Sequence, residues 1–131
     1  MFEKMDVYAF VGPSGTGKSY RAQMVAGEKD VHYIIDDGLL IHDNEVIAGV
    51  SAKKASTKIE TVKKALFQNK EEQDIIKKAL KKYKAKSLLI LGTSDGMVEK
   101  IAKNLGFDGI KETIYIEDVA TEQEMQTARR I

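Results

Sequence analysis

The chain has 131 residues, of which 43% are hydrophobic and 31% are charged, and its net charge is +1. This balance excludes a disordered chain and predicts one globular domain over residues 1–131 with a core of its own. Cysteine is absent, which excludes disulfides and thiolate metal sites. No apolar run approaches the roughly 20 residues of a membrane span. We therefore expect a cytoplasmic protein that does not associate with membranes.

The N-terminal part of the sequence predicts a strand, a helix and a second strand. The run Asp6–Gly12 is apolar with β-branched and aromatic members, which is typical of a buried strand. A short helix is expected over residues 18–26, with Gly27 as its stop. The run Val31–Ile35 predicts the second strand.

A β-hairpin insertion is predicted near residues 39–48, where two short apolar runs flank Asp43 and Asn44. Beyond a connecting loop, Thr57 and Glu60 form a capping box that marks the start of a helix. The helical spacing gives this helix an inner face that we expect to be buried, with the members Ile59, Val62 and Leu66.

A second helix is expected to begin at Asn69 as its N-cap. Its inner face is predicted to consist of Ile75, Ile76, Ala79, Leu80 and Tyr83. The run Ser87–Gly92 is continuously apolar, as in a central parallel strand that is covered on both faces. The next helix is predicted to be capped near Ser94 or Asp95 and closed by Gly106.

The C-terminal part is predicted to hold a strand, Thr113–Asp118, and a final helix whose capping box is Thr121 and Glu124. The alternation of strands and helices predicts an α/β fold with a mainly parallel sheet and helices on both faces. The chain ends at residues 129–131 inside the helical pattern. Two interpretations stay open: the chain is truncated within this helix, or the helix caps the domain.

The loop between the first strand and the first helix matches the pattern G-x-x-x-x-G-K-[ST]. Its residues are Gly12, Pro13, Ser14, Gly15, Thr16, Gly17, Lys18 and Ser19. Glycines let a backbone wrap closely around an anion. Successive N–H groups and the following helix N-terminus then present partial positive charge to phosphates. We predict that this loop, together with the next residue Tyr20, binds a nucleotide.

The same residues resemble the Walker A loop of the P-loop NTPase superfamily, and they are similar to the loops of nucleotide kinases and oligomeric ATPases. The resemblance implies a three-layer P-loop NTPase-like domain that takes ATP and Mg²⁺. Lys18 would bridge the β- and γ-phosphates, and the Ser19 hydroxyl would join the metal's ligands. The guanine-reading Asn-Lys-x-Asp motif of GTPases is missing, which favours ATP. A homo-oligomer is a further expectation, in which a neighbouring subunit supplies an arginine.

Asp36 and Asp37 follow the second predicted strand, and in open α/β sheets ligands lie beyond the carboxyl ends of the strands. The run "YIIDD" resembles the superfamily's Walker B motif, an apolar strand that ends in an acid. We therefore expect Asp36 or Asp37 to hold Mg²⁺ together with Ser19, and both acids join Lys18 as catalytic candidates. The alternative is that Asp37 and Gly38 only make the turn into the hairpin.

Polar residues also follow the central run Ser87–Gly92. Thr93 or Ser94 is a candidate for sensing the γ-phosphate, and Thr93 is included in the predicted nucleotide site. The alternative is helix capping, which Ser94 and Asp95 satisfy without any ligand. Asp95 also competes with Asp36 as the metal-binding acid.

We predict an Mg-ATP-binding domain that acts as a slow ATPase or a nucleotide-dependent switch. A small-molecule or nucleotide kinase is the alternative, but the three arginines, Arg21, Arg129 and Arg130, are few for a lid over the migrating phosphoryl group. A nucleic-acid-associated ATPase is a further alternative. It would use the segment Lys53–Lys86, which holds twelve lysines and four acids. A solvated face is the simpler interpretation of that segment.

Overall fold

Strands and helices alternate along the chain, as the computed structural model describes it over residues 5–52 and 56–119. In chain order the elements are β1 (Asp6–Val11), α1 (Lys18–Glu28), β2 (Tyr33–Asp36), β3 (Leu39–His42), β4 (Glu45–Gly49), α2 (Lys58–Ala65), α3 (Lys70–Lys82), β5 (Ser87–Gly92), α4 (Asp95–Asn104), β6 (Glu112–Tyr115) and α5 (Ile116–Val119). The predicted α/β class is confirmed. None of the helices in these two ranges is long and apolar enough to cross a membrane.

The six strands form one sheet in the order β4-β3-β2-β5-β1-β6. The neighbours among β2, β5, β1 and β6 pair in parallel, whereas β3 pairs antiparallel with both β2 and β4. The predicted hairpin is confirmed, with Asp43 and Asn44 at φ 51° and 67°, as a two-residue hairpin turn requires. The hairpin extends the sheet instead of standing apart from it. The sheet is therefore mixed rather than parallel throughout.

Two apolar clusters cover the two faces of the sheet, because successive residues of a strand point to opposite sides. Val7 and Ala9 of β1 pack in one cluster with Ile76 of α3 and Ile101 of α4. Phe10, on the other side of β1, packs in the second cluster, to which α1 contributes Ala22, Val25 and Ala26. Helices thus cover both faces, as the sequence predicts.

Three predicted N-caps are confirmed. The side chains of Thr57, Asn69 and Ser94 accept hydrogen bonds from the backbone N–H groups of Glu60, Glu71 and Met97, at the starts of α2, α3 and α4. These bonds satisfy donors that have no partner within the helix.

The inner face predicted for α2 is wrong at two of its three residues. Ile59 and Val62 are 69% and 52% exposed. Within the described residues, α2 has no buried member, and only its C-terminal end approaches the core, where Leu66 packs and Phe67 is buried. In α3, by contrast, Ile76 and Leu80 are buried as predicted, although Ile75 remains half exposed.

The predicted ends of α1 and of the last strand also differ from the structure. Helix α1 continues through Gly27 to Glu28, because a glycine is tolerated within a helix. The strand predicted over 113–118 ends at Tyr115, and the buried Ile116 begins α5. The Arg21 guanidinium donates a 3.0 Å hydrogen bond to the Val119 carbonyl, which ties α5 to α1. The helix predicted from the residues 121 and 124 lies outside the described residues.

Candidate functional site

Three neighbouring parallel strands, β1, β5 and β2, end at the same edge of the sheet. The loop Gly12–Ser19 follows β1, Thr93 follows β5, and Asp36 is the last residue of β2. The Gly12 N–H donates a 3.1 Å hydrogen bond to the Gly92 carbonyl, which holds the start of the loop beside the end of β5. The topology therefore brings together residues that are up to about eighty positions apart in the sequence.

Two glycines and one buried threonine shape the loop. Gly17 has a φ of 87°, a left-handed conformation that glycine adopts without strain, and it passes the chain into α1. Gly12 lies so close to Ile116 that a Cβ on Gly12 would be 2.8 Å from the Ile116 Cβ. The Thr16 side chain is only 4% exposed, and its hydroxyl donates to the Pro13 carbonyl at 2.7 Å. The loop is thus a defined turn held by its own side chain.

The N-terminus of α1 differs from the N-termini of α2, α3 and α4. Gly17 offers no side-chain cap, and the first turn of α1 contains no acid. The other three helices have both a capping side chain and at least one acid in the first turn. The positive end of the α1 dipole is therefore left without an anionic or capping side chain of its own first turn. Such an end is suited to an external anion.

The Lys18 side chain folds back over the loop. Its ammonium donates a 3.0 Å hydrogen bond to the Pro13 carbonyl. Burial lowers the pKa of Lys18 below its ordinary value, and the charge of Asp36 partly opposes this shift. A partly desolvated ammonium would gain from a nearby anion.

Ser19 and Asp36 are in direct contact. The Ser19 hydroxyl donates to an Asp36 carboxylate oxygen at 2.6 Å, across the 17 positions that separate them in the sequence. Hydroxyl and carboxylate oxygens are hard ligands of the kind that Mg²⁺ prefers. Among the residues of 5–52 and 56–119, no group of three or more His, Cys, Asp and Glu side chains could hold a metal. A Mg²⁺ site needs only one or two carboxylates when phosphates and water complete it.

Asp37 has a different partner from Asp36. Its carboxylate accepts a 2.6 Å hydrogen bond from the Ser51 hydroxyl, and its carbonyl accepts one from the Ala52 N–H at 2.9 Å. Asp37 has a φ of 52° and therefore also makes the turn into the hairpin. These contacts favour the structural interpretation of Asp37, which holds the chain after β4 next to the end of β2.

A cavity of about 280 Å³ opens between these elements. The predicted site residues that line it are Ser14, Gly15, Lys18, Ser19, Asp36, Asp37 and Thr93. Ala65 of α2 and Met97 of α4 also contribute, and neither follows from a sequence motif. The Tyr20 side chain does not line the cavity and is 87% exposed.

The residues that follow β5 have different roles: Thr93 lines the cavity, whereas Ser94 caps a helix. Ser94 caps α4, as the simpler interpretation predicts. Asp95 accepts a 2.9 Å hydrogen bond from the Tyr115 hydroxyl, and this bond raises the pKa of Tyr115. Asp95 lines a separate open groove along α4 and not the cavity around Lys18. Asp36, and not Asp95, is therefore the acid that contacts the Gly12–Ser19 loop.

Comparisons of the chain with protein-family models, with curated proteins and with solved structures found no match. The site is therefore interpreted from its own geometry and chemistry.

Proposed function

We propose that this chain is a P-loop NTPase-like domain that binds ATP with Mg²⁺ and acts as a slow ATPase or a nucleotide-dependent switch. The observation that carries this proposal is the 2.6 Å contact between Ser19 and Asp36. It joins the end of the G-x-x-x-x-G-K-[ST] loop to an acid at the tip of a nearby strand. The strand before the loop and the helix after it provide the context that such a motif requires.

Each residue has a distinct role in this proposal. The Lys18 ammonium moves from the Pro13 carbonyl to the β- and γ-phosphates, since a charged acceptor makes the stronger hydrogen bond. The backbone N–H groups at the start of α1 hold the other phosphate oxygens. Ser19 and Asp36 are the residues that would hold Mg²⁺, directly or through water. When bound, Mg²⁺ would neutralise charge on the β- and γ-phosphate oxygens.

The charges around the cavity support the proposal of slow hydrolysis over that of rapid phosphoryl transfer. Rapid transfer benefits from an arginine beside the migrating phosphoryl group. Arg21, the one arginine among the described residues, donates to the Val119 carbonyl and is not among the residues that line the cavity. Arg129 and Arg130 lie outside the described residues.

The test is the thermal unfolding of the wild-type chain and of two lysine variants with ATP and MgCl₂. A ligand present at about 100 times its Kd adds about 2.7 kcal/mol of stability. We expect ATP with Mg²⁺ to raise the Tm of the wild type and not that of Lys18→Ala. Lys78→Ala, which removes the same charge from an exposed position on α3, is the matched control and keeps the shift. If Lys18→Ala responds as the wild type does, the proposal is wrong.

The metal part of the proposal is tested separately. Asp36→Asn removes a carboxylate charge while it keeps the size of the side chain. We expect this variant to bind ATP with an affinity that MgCl₂ no longer raises, whereas Asp37→Asn retains the magnesium dependence. The reverse result would assign the metal to Asp37.

A further inference from the structure

Thr93 and Met97 form a contact inside the cavity that the proposed function does not use. The Thr93 N–H lies 3.3 Å from the Met97 sulfur, and the Thr93 hydroxyl lies 3.4 Å from the same atom. Both polar hydrogens at the tip of β5 are therefore directed to one thioether. Both residues line the cavity with Lys18, Ser19 and Asp36.

The position of the Met97 sulfur is set by the start of α4. Ser94 is the N-cap of this helix, and its hydroxyl accepts a 3.2 Å hydrogen bond from the Met97 N–H. Side chains in a helix lean toward the N-terminus of that helix, so the side chain of Met97 reaches back over Thr93. The contact between Thr93 and Met97 therefore depends on the capped start of α4, which fixes the position of Met97.

A thioether is a weak hydrogen-bond acceptor, whereas a phosphate oxygen carries charge and makes the stronger bond. A γ-phosphate that reaches the tip of β5 would offer Thr93 a better partner than sulfur. A nucleoside diphosphate has no such group and would leave the contact with Met97 in place.

We propose that Met97 is a specificity-determining residue that competes with the γ-phosphate for the Thr93 donors and so limits the preference for ATP over ADP. This inference rests on the proposed nucleotide binding. Met97 loses its contact with Thr93 only when the Thr93 donors bind the γ-phosphate. The first turn of α4 therefore differs between the ATP-bound and the ADP-bound protein.

The test is a double-mutant cycle on Met97→Leu and Thr93→Val, with affinities measured by calorimetry in MgCl₂. The ligands are ADP and a non-hydrolysable ATP analogue. Leucine keeps the volume of methionine and removes the acceptor. We expect Met97→Leu to raise the affinity for the analogue about threefold to tenfold, the range of one neutral hydrogen bond. The affinity for ADP should change by less than about twofold.

In the Thr93→Val background, Met97→Leu should have a smaller effect on the affinity for the analogue, because valine removes the hydroxyl donor and keeps only the backbone N–H. A gain that is equal for the analogue and ADP, or one that is undiminished without the Thr93 hydroxyl, overturns the inference. The Lys18-dependent binding of both ligands would then still stand. If the wild type binds neither ligand, the proposed function fails and the inference fails with it.

A second measurement follows the Met97 side chain directly. In protein labelled with ¹³C-methyl methionine, the Met97 signal is assigned by its loss in Met97→Leu. We expect this signal to shift when the ATP analogue is added and to stay in place with ADP. Equal shifts with both ligands would contradict release by the γ-phosphate.

Discussion

Two regions of the molecule differ in what decides their structure. The Gly12–Ser19 loop region consists of residues 11–20 with Asp36 and Thr93, and the lysine-rich region consists of α2 and α3. In the first region a short motif forms a turn that is closed by a hydrogen bond within the motif. The order of the strands then places Asp36 beside this motif. In the second, two helices have the same kind of apolar spacing, yet α3 is buried on one face and α2 is not. A helical period states which residues share a face, and it does not state whether another element covers that face.

The largest expected effect tests the difference between α2 and α3. Ile76 on α3 is fully buried, whereas Ile59 on α2 is 69% exposed. Ile76→Ala should lower the free energy of unfolding by about 2–5 kcal/mol, since it leaves a cavity in the core. Ile59→Ala is the matched control, and its change should stay within about 0.5 kcal/mol. Urea unfolding followed by circular dichroism measures both, because the chain contains no tryptophan.

Similar losses of stability at Ile59 and Ile76 would contradict this comparison. They would mean that another part of the protein covers the apolar face of α2 in solution.

A smaller effect is expected at two glycines, one in the Gly12–Ser19 loop region and one inside α1. An added Cβ at Gly12 would overlap the buried side chain of Ile116, while the space around Gly27 is open. Gly12→Ala should therefore cost about 1–3 kcal/mol of stability, as overpacking does. Gly27→Ala should add about 0.5–1 kcal/mol, because alanine favours the helix.

The same urea titration measures both glycine variants. If the stability of Gly12→Ala is unchanged, the Ile116 side chain moves to make room for the new methyl group. The close packing of α5 on the loop would then not contribute to stability.

The smallest effect concerns the lysines of the two regions and appears only in alkaline solution. Burial lowers the pKa of Lys18 from its ordinary value of 10.5, whereas a hydrogen bond to Glu72 raises the pKa of Lys64 on α2. A bound phosphate favours the charged form of Lys18, so nucleotide affinity should fall as the pH rises through the lowered pKa. This fall begins below pH 10.5 and reaches at most about tenfold per pH unit above the pKa.

Calorimetric titrations with an ATP analogue between about pH 8 and pH 10 measure this slope, a range in which ordinary lysines stay charged. Lys64→Ala is the control and should keep the slope, whereas Lys18→Ala should bind weakly with no slope. A wild-type affinity that falls with pH no more steeply than that of Lys18→Ala would mean that Lys18 does not contact the phosphates.

The sequence by itself was enough to predict the local features of this protein. The α/β class, the hairpin around Asp43 and Asn44, and the N-caps of α2, α3 and α4 all follow from patterns within a few residues. Such features depend on backbone conformation and near-neighbour hydrogen bonds, and the residues that make them are adjacent in the chain. The Gly12–Ser19 motif belongs to the same class, because its turn is closed by Thr16 and Pro13.

Only the tertiary structure decided which distant residues meet. Strand order places β5 between β1 and β2, which brings Thr93 into the same cavity as Ser19 and Asp36. The two neighbouring acids separate because Asp36 contacts Ser19 while Asp37 contacts Ser51, a choice that depends on where the hairpin returns. Burial of α3 without α2 likewise depends on how whole elements pack. Packing is a property of pairs of elements, so no pattern within one segment contains it.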